Sequence, residues 1–176
     1  MAPVSLEPGL AAFQCPKSGG CWLPLQAYFK WRDATPHAVS PLPEGYEPVV
    51  EHDTERAMLC PESGTLLQRY RVGHGLHFSI NRSSVTGGVW LDAGEWDALK
   101  SKGLHEQLNL IFTAPYQRTI RSEELTHALR GAFEARMGAE DFARVEAFRE
   151  WMLQHPEARY VLNYLIEAEK SAGKAG

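Results

Sequence analysis

Two runs near the middle of the chain alternate apolar and polar positions. Leu66, Tyr70 and Val72 mark the first, with Gln68 breaking its alternation, while Leu76, Phe78 and Ile80 keep strict period two in the second. Period two turns one face of a strand inward. Between the runs lies Gly73-His74-Gly75, whose glycines can take the positive φ of a tight turn. The pattern predicts a β-hairpin, its second strand the better defined. After Leu91 the period changes. Asp92 followed by Glu95 has the form of a capping box, with Asp in place of Ser or Thr. Trp96 and Leu99 then share one helical face, and Leu104, Leu108, Ile111 and Phe112 extend the helical pattern past Gly103.

The last third is patterned for helices throughout. Ser122 is placed to cap one, with Glu123 and Glu124 favourable at its positive end. Leu125, Leu129, Phe133 and Met137 form its stripe, and Gly138 can end it. Phe142, Val145, Phe148 and Met152 mark a second helix. His155-Pro156 interrupts that one, and Val161, Leu162, Leu165 and Ile166 mark a third that starts near Pro156. Short connections predict that these helices pack antiparallel on one another and on the hairpin. The tail from Ser171 is expected to fray.

Residues 1–57 read as an irregular arm, because prolines recur along it and each removes a backbone donor. Thr35–Pro48 is its most turn-like stretch. Trp22, Tyr28, Phe29 and Trp31 are nevertheless too apolar for a free linker, so part of the arm should dock.

The chain has 176 residues, 44% of them hydrophobic, and a formal charge of −4. That is enough for a buried core, and the charge argues against a generic nucleic-acid coat. The first twelve residues lack the pattern of a signal peptide, and no run is long enough to span a membrane. Cys15, Cys21 and Cys60 make no disulfide framework. The expectation is a cytoplasmic protein without a membrane partner.

One stretch carries a specific motif. Cys60-Pro61-Glu62-Ser63-Gly64, the hairpin, and Gly87-Gly88-Val89-Trp90-Leu91-Asp92-Ala93-Gly94-Glu95 resemble the zinc ribbons of transcription-factor-IIB type. That family has a CPxC knuckle, a hairpin, a second CPxC knuckle and a G-x-W-L-D-x-G-E segment entering a helix. The resemblance implies structural roles for Gly87, Gly88, Trp90, Asp92 and Glu95. It also places the four ligand positions at Cys60, Ser63, Ser83 and Thr86, where only one thiol remains. Hydroxyls stay protonated near neutral pH and are poor zinc ligands. A structural zinc supplies about 10–16 kcal/mol to a small fold, while a hydroxyl hydrogen bond returns about 0.5–1.5 kcal/mol. Packing must therefore replace the metal, and no cofactor is expected. The implied fold is α+β: a zinc-ribbon-like module at 58–102 packed with a helical hairpin or three-helix bundle at 103–172, behind the arm at 1–57.

Cys15-Pro16-Lys17-Ser18-Gly19-Gly20-Cys21-Trp22-Leu23 aligns without a gap on Ser83–Leu91. The arm is thus either half of a second decayed ribbon or a chance match in turn-rich sequence. Zinc remains an alternative if Cys15, Cys21, Cys60 and His74 rebuild a Cys3His set. However, the spacing of Cys15 and Cys21 is wider than usual for a knuckle.

Other chemistry is thinly supported. Cys60 with His74 or His77 is the one nucleophile–base pairing within reach of the motif, and nothing suggests an orienting group or an oxyanion hole. No phosphate-loop pattern is present. Arg69 and Arg71 share a strand face, and with Arg82 nearby across the hairpin they would form a nucleic-acid face. The favoured reading is a non-enzymatic adaptor that binds a protein partner. A zinc-dependent nucleic-acid binder and a Cys60 thiol enzyme are the alternatives.

Overall fold

The computed structural model describes residues 1–34, 39–50 and 53–172. The start of the expected turn at Thr35–Pro48 and the end of the tail lie outside these residues. The fold is α+β and divides into two compact units, Met1–Ser122 and Glu123–Gly176.

The first unit is built on one antiparallel sheet in the order β1-β2-β3-β6-β5-β4. Its strands are β1 (Ala2–Glu7), β2 (Leu10–Gln14), β3 (Cys21–Leu23), β4 (Leu67–Gly73), β5 (Leu76–Ser83) and β6 (Val89–Leu91). The expected hairpin is β4–β5, in one register from Leu67↔Ser83 to Arg71↔Ser79, with a bulge before Gly73↔Leu76. Its loop is two residues, His74 (φ 55°) and Gly75 (φ 79°). Positive φ at both central positions is what a right-twisted hairpin requires.

The arm is not irregular, and that expectation is corrected. Residues 1–34 form the β1–β2 hairpin, a turn, β3 and helix α1 (Leu25–Asp33). Residues 67–101 repeat this order with β4–β5, a turn, β6 and α2 (Glu95–Ser101). The two turns are closed alike. Cys15 N–H donates to Gly20 O (2.8 Å) and Gly19 N–H to Cys15 O (2.9 Å); Ser83 N–H donates to Gly88 O (2.9 Å) and Gly87 N–H to Ser83 O (3.0 Å). Prolines misled the reading of the arm because Pro3 sits on an edge strand and Pro8 in a hairpin loop, where no ladder donor is required.

The halves meet where β3 pairs with β6, as Cys21↔Leu91, Trp22↔Trp90 and Leu23↔Val89. Since Trp22 aligns with Trp90, this register places a local two-fold at the tryptophan pair. A Cβ on Gly20 would run into the Trp90 indole, and one on Gly88 into that of Trp22. Each half's glycine thus receives the other half's tryptophan.

Alternation along the strands divides the interior. On one face, Leu10, Leu23, Ile80, Val89 and Leu91 pack with Tyr28 and Trp31 of α1, Trp96 and Leu99 of α2, and Leu108 and Ile111 of α3 (Leu108–Ile111). On the other, Trp22 and Trp90 pack with Cys60 and Leu67. A buried ion pair ties β1 to α2: Glu7 accepts from Lys100 Nζ (2.8 Å) and from Trp96 Nε1 (2.9 Å). Burial alone would raise the Glu7 pKa, but bonds from Lys100, the Ser40 N–H and Trp96 hold it below the ordinary carboxylate range.

Helix α4 spans Ala114–Met137 without a break at Ser122, correcting the expected cap there. It starts early because its first turns hold the edge of β4. Tyr116 Oη donates to Val72 O (2.6 Å), Gln117 Nε2 donates to Arg71 O (2.8 Å), and Gln117 Oε1 accepts from Arg71 N–H. Covering an edge strand in this way removes free ladder groups.

The second unit continues α4 and adds α5 (Ala139–Gln154) and α6 (Ala158–Ala172), with Gly138 at φ 85° between α4 and α5. The expected bundle core is not formed within it. No residue of α5 is buried, and Leu125, Leu129 and Phe133 are each at least half exposed.

Candidate functional site

The positions that the sequence assigned to metal ligands do converge. The loop from Cys60 closes like the other two turns, with Cys60 N–H to Thr65 O (2.7 Å) and Gly64 N–H to Cys60 O (2.9 Å). This sets Cys60 Sγ 3.7 Å from Thr86 Oγ1, with the Ser63 N–H donating to the sulfur at 3.4 Å. Ser83 Oγ is fully buried and accepts from the N–H groups of Val85 (3.3 Å) and Thr86 (3.1 Å). The Ser83 hydroxyl therefore organises the backbone of the turn between Ser83 and Gly88. Burial raises the Cys60 pKa, yet the Ser63 and Ser83 hydroxyls and the Ser63 and Glu62 N–H groups bring it down to about 7. Such a thiol is activated in principle, but Cys60 is 2% exposed.

Its expected base is remote. Cys60 packs near Leu67, at the end of the hairpin opposite His74. Strand β4 separates them by about 20 Å at the usual rise per residue. His74 instead faces Tyr116, ring to ring at 5.7 Å. For the same reason Cys15, Cys21, Cys60 and His74 form no ligand set among the described residues. Cys21 pairs with Leu91 on the face opposite Trp22, whereas Cys15 packs against the cluster of Trp22, Trp90, Cys60 and Leu67. The Ser18 hydroxyl and the N–H groups of Ser18 and Lys17 lower the Cys15 pKa to about 7, while burial raises that of Cys21.

The expected arginine face is also corrected. Arg82 pairs across from Gln68, whereas Arg69 pairs with Asn81 and Arg71 with Ser79. Directly opposed residues share a face, so Arg82 lies on the other side of the sheet from Arg69 and Arg71. There it stacks on Phe112, 5.0 Å from the ring centre. Arg69 is engaged with Asp53 at 2.7 Å. The register defeats a three-arginine phosphate surface.

Asp92 and Glu95 do more than cap a helix. The Asp92 N–H donates to Glu95 Oε2 (2.8 Å), which is half of the expected box. The Asp92 carboxylate turns elsewhere, accepting from Trp90 Nε1 (2.8 Å) and Thr54 N–H (2.7 Å), and Gly94 occupies the cap position of α2. Asp53, not singled out in the sequence, joins them. Its Oδ2 accepts from Arg69 and from Ser79 N–H (3.2 Å). One carboxylate oxygen from each of Asp53, Asp92 and Glu95 falls within 4.8 Å of the others. Burial pushes Glu95 up to about 9, with Asp92 and Asp53 adding to the shift against the Asp92 N–H. An isolated acid in a turn-rich segment has no periodic signal, so only the chain's path reveals Asp53.

The helical unit presents an apolar groove. It has a volume of about 480 Å³ and runs between α4 and α5, lined by Leu129, Phe133, Met137, Phe142 and Val145. Arg130 and Glu146, 2.7 Å apart, close one rim.

No known protein family, curated protein or solved structure matches the chain. Among the described residues, no helix is long and apolar enough to cross a membrane.

Proposed function

We propose that this chain is a non-enzymatic adaptor: one decayed, metal-free ribbon of transcription-factor-IIB type and half of a second form a rigid scaffold, and the helical unit binds a folded protein partner. The observation that carries this reading is the solvent exposure of the helical stripes. Leu129, Phe133, Phe148 and Trp151 are 41–56% exposed. Exposed patches on monomers seldom exceed about 300–600 Å², and larger ones mark interaction sites. The groove has an apolar floor and a rim of both charge signs, the composition of a protein interface with a dry centre. Its occupant is a protein surface offering apolar side chains with acidic and basic residues around them.

The ribbon part of the proposal is supported by the convergence of Cys60, Ser63, Ser83 and Thr86 and by the three similarly closed turns. The adaptor part is tested by introducing Leu129→Asp and Phe133→Asp together and measuring native complex mass in cell extract. The expected result is loss of a defined complex with unchanged unfolding of the sheet unit. A complex that survives both changes, or wild-type chain that runs only as monomer, sinks the reading. A complex made of this chain alone narrows the partner to a second copy.

A further inference from the structure

We propose that Asp53, Asp92 and Glu95 together hold one divalent cation of the hard, oxygen-preferring kind, such as Ca²⁺, Mg²⁺ or Mn²⁺. Three carboxylate oxygens within 4.8 Å of one another fit a single ion, because ligands at about 2.0–2.6 Å from a shared centre lie no more than about 5 Å apart. The donors are all carboxylates, which suit these cations rather than zinc.

Acidic residues cluster on many surfaces without an ion. This cluster differs in being buried and incompletely bonded. Glu95 is 1% exposed, and its Oε1 has no hydrogen-bond partner. Asp53 Oδ1 is likewise buried and without a partner, although Oδ2 of the same group accepts twice. Buried carboxylate oxygens are costly when unpaired. The two orphaned atoms belong to two of the three grouped carboxylates, where an ion would satisfy both.

Charge supports the same conclusion. Three carboxylates face one guanidinium, that of Arg69, which is bonded to Asp53 Oδ2 and leaves Oδ1 free. A divalent cation neutralises the group completely, whereas a single proton leaves it negative. The Asp53 side chain is 24% exposed, so water can complete the coordination shell from that side. The site also bears on how the segment before β4 is secured: Asp53 and Thr54 reach Arg69, Ser79 and Asp92, and the ion would add a fourth tie.

The test uses the full chain, stripped with a general chelator and titrated with Mn²⁺ alone, with bound ion read by electron paramagnetic resonance. One Mn²⁺ per chain is expected, displaced by Ca²⁺ or Mg²⁺, with a rise in unfolding temperature on binding. Glu95→Gln and Asp53→Asn should each weaken binding at least about tenfold. Asp53→Asn is the safer variant for folding, since Asn keeps an acceptor for Arg69 and Ser79. If wild-type chain binds no stoichiometric Mn²⁺ up to about 1 mM, the weak end of such sites, the proposal fails and a proton on Glu95 is the counter-charge. Binding that both variants retain also overturns it.

Discussion

In the sheet unit Trp22, Trp31, Trp90 and Trp96 are each no more than 6% exposed, whereas in the helical unit Trp151 is 51% exposed and Phe133 56%. The aromatic investment is similar, but the partners differ. Each sheet-unit tryptophan has a counterpart within the unit: Trp22 faces Trp90 across the β3–β6 pair, and Trp31 meets Trp96 edge-on at 5.9 Å. In the helical unit Trp151 meets rings of its own segment, Phe148 at 5.5 Å and His155 at 5.1 Å, and stays half exposed. The comparison separates residues that hold the fold from residues available for binding, although both kinds look alike as apolar periodicity.

The largest expected effect tests that separation directly. Trp22→Ala and Trp90→Ala should each cost about 3–5 kcal/mol, as for buried tryptophans elsewhere. Phe133→Ala in the isolated chain should stay within about 0.5 kcal/mol, as for surface positions. Denaturant midpoints compare the three, and equal losses would erase the distinction between the units.

Glu7→Ala should cost somewhat less, up to about 3 kcal/mol, because the buried Lys100 ammonium loses Glu7 but keeps Asp97 at 3.1 Å. Glu7→Ala with Lys100→Met should recover much of that loss. The pair also sets a pH dependence. The folded Glu7 pKa is lowered, so its contribution is complete above the ordinary carboxylate range and is lost as pH falls through the folded value. The Lys100 pKa is raised, so its share is present below the ordinary lysine value and lost as pH rises through the folded one. Unfolding measured from acid to neutral pH should show this acid loss shrink in Glu7→Gln. An unchanged acid limb would mean that other carboxylates govern it.

A smaller effect is expected at Cys60, in the proposed ribbon. Cys60→Ser should change stability by no more than about 1.5 kcal/mol, the scale of one hydrogen bond. A zinc-selective chelator should leave the melting temperature unchanged. Loss of folded structure on chelation would mean that the proposed ribbon holds zinc. The smallest effect is kinetic. Cys15, accessible and with a pKa of about 7, should react with a thiol reagent before Cys21 and Cys60, which are buried. Faster labelling of Cys60 would show that its knuckle opens readily.

Local pattern in the sequence determined the β4–β5 hairpin, the change to helix after Leu91, the helix ends at Gly138 and His155, and the burial of Trp90. Each follows from neighbouring residues through period, turn conformation or capping. The GG-x-WL echo at residues 19–23 pointed to a repeat without deciding it, because proline count and alternation gave opposing signals for the arm. Tertiary structure decided the rest. The two-fold at Trp22 and Trp90 depends on which strands pair, and the placement of Arg82 depends on register, since one residue of shift exchanges the faces. The meeting of Asp53 with Asp92 and Glu95 depends on the path of a segment with no period at all. Short-range pattern encodes an element and its buried face; which faces come together depends on contacts between residues far apart in the chain.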